Sequence, residues 1–180
     1  MGCDLHRYVE YRGAGDNWSS TPISGLGNRN YDWFGFLCDG VRSQHDPEEY
    51  YTHEPIGFPD DAGISSFHDF FMKEKDAKGN DWYKNRGEYL KRARRRSVFT
   101  GKDEDFIQNP DFYGATYIYL DEYLKLLDSY KKFLRKDYSD EMSSSTDIDN
   151  WTVELDAIAE YMKAYEKQGM RTRIVYWFDG

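Results

Sequence analysis

The stretch Gly2-Cys3-Asp4-Leu5-His6-Arg7-Tyr8-Val9-Glu10-Tyr11 decides how the chain is read. Side chains alternate faces along a strand. Asp4, His6, Tyr8 and Glu10 therefore share one face, while Cys3, Leu5, Arg7 and Val9 share the other. Neither face is cleanly apolar. A carboxylate, an imidazole and a phenol in one row are unusual in a strand built only for packing. The other end of the chain, Arg173-Ile174-Val175-Tyr176-Trp177-Phe178-Asp179, is β-branched and aromatic and is the strongest strand signal present. The two ends are expected to pair in one sheet, with everything between wrapped around them.

A chain of 180 residues suits one domain over 1–180 with a real core. Sixteen Tyr, eleven Phe and five Trp make that core ring-rich. Buried phenols need polar partners, so pockets lined by Tyr and Trp are expected. A net charge of -9 disfavours general nucleic-acid binding, which asks for a basic face. It suits a soluble protein or an acidic mimic of nucleic acid. Cys3 and Cys38 define no disulfide framework. With no secretory leader or long apolar run, the expectation is a reducing cytoplasm and no membrane. Met1-Gly2-Cys3 resembles an acylation start, but His6 stands where that pattern needs Ser or Thr.

In chain order, the first strand runs to about Arg12, and a return strand begins near Trp18 after a Gly-rich turn. Asn30 or Asp32 caps a short buried helix over 33–38. Residues 43–66 form a long loop whose many rings suggest a lid over a pocket. A short helix over 67–75 and a second over 82–98 make 67–109 a helical insertion. The second helix ends in the basic run Lys91-Arg92-Ala93-Arg94-Arg95-Arg96. That run reads as a solvated helix end suited to the macrodipole, ahead of a phosphate or acidic-partner contact. Residues 101–114 read as a loop and 115–119 as a short strand. Asp121 caps a helix to about Lys136, with apolar residues at spacings of three and four. Residues 137–150 read as a flexible connector, and a last helix spans 151–167 and stops at Gly169. The fold class is α+β: a small antiparallel sheet holding both terminal strands, packed by several helices.

Three constellations are candidates for chemistry. In the first, Asp4 and His6 point one way, and an antiparallel neighbour brings in Asp179. Such a group orients a general base or binds a cation; otherwise it is a structural His–Asp hydrogen bond. In the second, Tyr8, Tyr31, Trp33 and Trp177 offer rings for a base. Arg29, Arg42 and Arg173 offer forks for phosphates, and Asn30, Asp32 and Asp179 read a base edge or ribose. Each ring taken singly reads as core. The third, a zinc site from Cys3, Asp4 and His6, fails because Cys3 faces away and Cys38, His45, His53 and His68 supply no second cluster. The same opposed faces disfavour a Cys–His nucleophile, and Gly25-Leu26-Gly27 lacks the rest of a phosphate loop. No metal and no cofactor are expected.

Four motifs, Met1-Gly2-Cys3-Asp4-Leu5-His6, Arg29-Asn30-Tyr31-Asp32-Trp33-Phe34, Gly57-Phe58-Pro59-Asp60-Asp61 and Val175-Tyr176-Trp177-Phe178-Asp179, resemble those of a family of small phage and prophage proteins. Members open on Met-Gly-Cys-Asp-Ile-His and close on Val-Phe-Trp-Phe-Asp. The resemblance covers both ends and the first third, and implies a phage accessory protein acting in the cytoplasm of an infected bacterial host. It implies no activity.

The leading expectation is a binding protein that sequesters a nucleotide-derived immune signal in a pocket lined by aromatic, Arg and Asp/His residues: Asp4, His6, Tyr8, Arg29, Asn30, Tyr31, Asp32, Arg42, Trp177 and Asp179. The first alternative is a phosphodiesterase or related hydrolase, with His6 as general acid/base and Asp4 or Asp179 orienting it. The second is an acidic protein-interaction inhibitor of a host factor. A nucleotide-type small molecule is the expected partner, and a homo-oligomer stays open.

Overall fold

The two ends of the chain meet in register. In the computed structural model, β1 (Asp4–Arg12) runs antiparallel to β7 (Arg171–Asp179), with Asp4 opposite Asp179 and His6 opposite Trp177. The structure describes residues 3–15, 17–23, 30–39, 41, 49–97, 99–138 and 145–180, and of 145–147 the backbone alone. β2 (Ser19–Pro22) borders β1, and β6 (Phe112–Tyr119) borders β7, giving the order β2-β1-β7-β6. The fold is α+β, as the sequence implies.

This sheet is covered on both faces, which is why β7 reads as a continuous apolar run and not an alternation. On one face Leu5, Val9, Ile174, Tyr176 and Phe178 pack beneath α1 (Tyr31–Leu37), α5 (Leu120–Asp137) and α6 (Ser145–Glu166). α5 is amphipathic: Tyr123, Leu126, Leu127, Tyr130, Phe133 and Leu134 are buried at spacings of three and four. No side chain caps its start, where Tyr119 is the cap residue and Asp121 lies inside the first turn. Asn30 does cap α1, its Oδ1 accepting from the Trp33 amide at 3.0 Å.

The opposite face is covered by the middle of the chain, where the sequence reading needs most correction. α2 (Ile64–Phe70) passes directly into β3 (Phe71–Lys73), followed by α3 (Glu74–Ala77), α4 (Asp81–Arg86) and a single 3-10 turn. The expected helix over 82–98 stops at Arg86. Its basic run is instead β4 (Arg92–Arg96), and part of the expected loop over 101–114 is β5 (Asp103–Gln108). Residues 67–109 are thus not purely helical: they hold a second antiparallel sheet, ordered β3-β5-β4. The physical reason is cross-strand charge. Arg94, Arg95 and Arg96 stand opposite Asp105, Glu104 and Asp103, and opposite charges facing across a ladder stabilise it. Phe67, Phe70, Phe71 and Phe106 carry this unit onto Trp177 and Val175. The connector expected over 137–150 also shortens, since α6 begins at Ser145.

A fully buried ion pair ties the halves together. Arg173 Nε donates to Glu10 Oε2 at 2.8 Å, and Arg173 Nη1 donates to Asp61 Oδ1 at 2.8 Å. Glu10 also accepts from the Gly63 amide at 2.7 Å and from the Ser66 hydroxyl. The Gly57–Asp61 motif is therefore an anchor of the middle segment. Among the described residues no helix is long and apolar enough to cross a membrane.

Candidate functional site

The face of β1 that carries Asp4, His6 and Tyr8 reaches the surface at the β1/β7 end. Its centre is His6. The imidazole lies parallel to the indole of Trp177, with ring centroids 5.4 Å apart, and against Phe112 at 5.0 Å. Its Nε2 is 3.0 Å from Asp179 Oδ2. A carboxylate can only accept, so Nε2 carries the hydrogen. Nδ1 is the nitrogen left for chemistry, and it faces Asp69 Oδ2 at 3.8 Å. His6 and Asp179 are 30% and 32% exposed, and Asp69 is 46% exposed, so solvent reaches the group.

The fold holds each member from a different direction. The Asp4 amide donates to Asp179 Oδ1 at 3.1 Å, which ties that carboxylate to the strand opposite while Oδ2 takes His6. Tyr8 also stacks on Trp177, centroids 5.8 Å apart, and its hydroxyl donates to Asp69 Oδ2 at 3.1 Å. Burial, then the Asp69 charge and that hydrogen bond, push the Tyr8 phenol up to about 12, so it remains a donor at neutral pH. The order Asp179, His6, Asp69, Tyr8 is a continuous row of polar groups over an aromatic floor. Trp177, Phe70 and Phe58 form that floor. The indole Nε1–H is buried and has no hydrogen-bond partner, one of few such groups in the described protein.

Asp69 is the member that sequence reading missed. It comes from α2, and its approach depends on docking of the middle segment, so no spacing in the sequence could reveal it. The reverse also occurs. Asn30, Tyr31 and Asp32 lie on the helix-covered side of the sheet, away from His6. Asn30 caps α1 and donates through Nδ2 to the Tyr130 hydroxyl at 2.8 Å, and Asp32 accepts from the Tyr138 hydroxyl at 2.9 Å. Tyr31 packs edge-on to Phe34. Trp33 is buried against Tyr123 and Tyr130. Trp177 is fully buried, so it supports His6 and Tyr8 from below and offers no free face to a base. Arg173 is consumed by Glu10 and Asp61. Arg29, Arg42 and His45 lie outside the described residues, as does Gly25-Leu26-Gly27.

A second imidazole, His53, has a different character. Its Nδ1 is 2.8 Å from Glu122 Oε1 and its Nε2 is 2.8 Å from Thr116 Oγ1, which accepts in turn from the Ile56 amide at 3.1 Å. With Nδ1 donating and Thr116 donating to Nε2, every group in this chain is satisfied. His53 is buried, and the network pins residues 51–56 across the edge of β6. That part of the expected lid is fastened down.

Among the described residues, no group of three or more His, Cys, Asp and Glu side chains is arranged to hold a metal ion. Cys3 is buried on the helix side, 3.0 Å from the Tyr113 hydroxyl, and does not meet His6. No family model, curated protein or solved structure matches the chain.

Proposed function

We propose that the protein binds and sequesters a nucleotide-derived signal at the exposed row around His6, as a phage accessory protein acting against a host defence. The observation that supports this is the flanking of one half-buried, solvent-accessible imidazole by two carboxylates, Asp179 and Asp69. Carboxylates accept hydrogen bonds from ribose hydroxyls and base amino groups. They repel phosphates, so the sugar or base of the ligand meets Asp69 and Asp179 and its phosphates point away from them. The resemblance of both chain ends to phage and prophage proteins supports the setting.

Calorimetry against cyclic dinucleotides and ADP-ribose derivatives tests the reading. Saturable heat that is lost in Asp69→Asn and Asp179→Asn supports it, and no heat across the panel overturns it. Turnover is the second reading, and the orientation of His6 favours it: Asp179 fixes Nε2–H at 3.0 Å and leaves Nδ1 to accept or return a proton. Chromatography after incubation separates the two. Sequestration returns the ligand intact after denaturation, whereas hydrolysis gives products that vanish in His6→Ala.

A further inference from the structure

We propose that the outer edge of β4 is a docking site for an acidic, extended segment of a partner protein, which joins the second sheet as a fourth strand. β4 is the end strand of the order β3-β5-β4. Two ladder bonds set its phase: the Gln108 amide donates to Lys91 O at 2.9 Å and the Ser97 amide to Lys102 O at 2.9 Å. In an antiparallel pair such bonds recur at every second residue. Residues 91, 93, 95 and 97 therefore bond to β5, and the amides and carbonyls of Arg92, Arg94 and Arg96 point to the other side. Among the described residues no strand is laid against them.

The chemistry around this edge specifies the occupant. Five of the six residues from 91 to 96 are cationic in a chain of net charge -9. The opposite edge of the same strand already holds an acidic strand, Asp103-Glu104-Asp105, opposite Arg96, Arg95 and Arg94. A cleft of about 290 Å³ borders β4, with Pro59, Asp60 and Asp61 across from it and Phe67 and Phe71 lining it. Its own carboxylates are engaged, Asp60 by Lys91 at 2.9 Å and Asp61 by Arg173 at 2.8 Å. Tyr89 before β4 is 80% exposed and Phe99 after it is 95% exposed, so an apolar ring stands at each end of the basic edge.

Charged edges keep sheets from pairing at random. A run of one sign does so selectively: it repels a second copy of itself and admits an acidic strand. Strand addition draws affinity from the main chain and specificity from alternate side chains. A nucleic acid fits less well. Its phosphates can accept from the outward amides of Arg92, Arg94 and Arg96 but cannot donate to the carbonyls that alternate with them, whereas a peptide strand does both.

The probe is an end-blocked, fluorescein-labelled peptide with the sequence of residues 103–108, titrated into the full chain and followed by anisotropy. The expected result is saturable binding, with slowed hydrogen exchange at the amides of Arg92, Arg94 and Arg96. Methylating alternate amide nitrogens of the peptide keeps its charge and removes its donors, and weakens binding at least tenfold. Arg94→Pro removes one outward N–H and no ladder bond to β5, and it weakens binding more than Arg94→Ala, which loses the charge facing Asp105 alone. Neutralising the charge in Arg92→Gln/Arg96→Gln, which sets no like charges opposite Asp103, gives a second loss that does not depend on the backbone change. Equal binding of the methylated peptide, tighter binding of a single-stranded oligonucleotide, or no binding of the peptide overturns the proposal.

Discussion

At the scale of single residues, the ionisable groups of β1 divide into those the fold consumes and those it leaves at the surface. Glu10 and Arg173 are consumed. Each is almost wholly buried, and each has its lone pairs or donors matched by the other and by the 61–66 segment. Breaking such a pair from one side leaves a buried charge without compensation, at about 3–5 kcal/mol. Glu10→Ala is thus expected to lower the stability by that amount in urea unfolding followed by tryptophan fluorescence; a loss under about 1 kcal/mol would contradict the role assigned to the pair. Arg7 is the opposite case. It is buried between the sheet and the helices, and among the described residues none of its guanidinium nitrogens has a hydrogen-bond partner. Burial lowers its pKa, while Tyr123 and Glu154 pull it partly back. An unsatisfied buried polar group costs about 1–3 kcal/mol, more when charged. Arg7→Met is expected to raise the urea midpoint, and a fall would mean that the guanidinium is needed where it stands.

At the scale of elements, two junctions govern how the middle segment meets the terminal sheet. The first is the bulge in β6 between Tyr113 and Thr116, where Gly114 has φ +59. A Cβ there would also lie 3.0 Å from the Phe178 ring and 3.1 Å from Cys38 Sγ. Gly114→Ala therefore combines a left-handed backbone with crowding. It is expected to cost about 1–3 kcal/mol, read as a lower thermal midpoint. The bulge breaks the simple pairing register just before Thr116, the residue that meets His53. The second junction is Asp61. Burial raises its pKa, but hydrogen bonds from Trp18 and Arg173, with the Arg173 and Arg12 charges, outweigh that and hold it below the ordinary value. A carboxyl depressed in the folded state contributes stability above its unfolded pKa of about 3.9 and loses it as pH falls through the folded value. The wild type should therefore lose stability in acid more steeply than Asp61→Asn. Unfolding midpoints taken from about pH 5 to pH 2 measure this, and parallel curves would contradict it.

For the whole molecule, one sheet with a core on each face makes the two halves depend on each other. Trp177 and Val175 belong to the core under the second sheet, while Tyr176 and Phe178 belong to the core under the helices. Opening either layer exposes β7. Both cysteines lie in the helix-side core, and burial, then the Asp39 charge and the neighbouring Cys3, raises the Cys38 thiol to about 11. Thiol reagents at pH 8 are expected to reach Cys3 and Cys38 only as the protein unfolds, both at the rate measured by fluorescence. Fast labelling of either in native buffer would show that the helix layer opens independently.

Local sequence settled whatever depends on neighbours a few residues apart. The alternation in residues 4–11 and the β-branched, aromatic run at 173–178 fixed two strands and which side chains share a face. The three-and-four spacing after Leu120 fixed the long helix, and Asn30 or Asp32 ahead of the aromatic run marked the start of a short one, the cap falling to Asn30. Tertiary structure alone decided what meets across long separations. The basic run at 91–96 has no apolar period of its own, and its strand character comes from the acidic strand beyond the hairpin. Asp69 reaches His6 only because α2 docks through its phenylalanines. In sequence Asn30 and Asp32 group with His6 as one polar cluster, but the sheet puts them on opposite sides. The reason is physical: periodicity reports which way a side chain points, but a contact is selected by the packing of every layer at once.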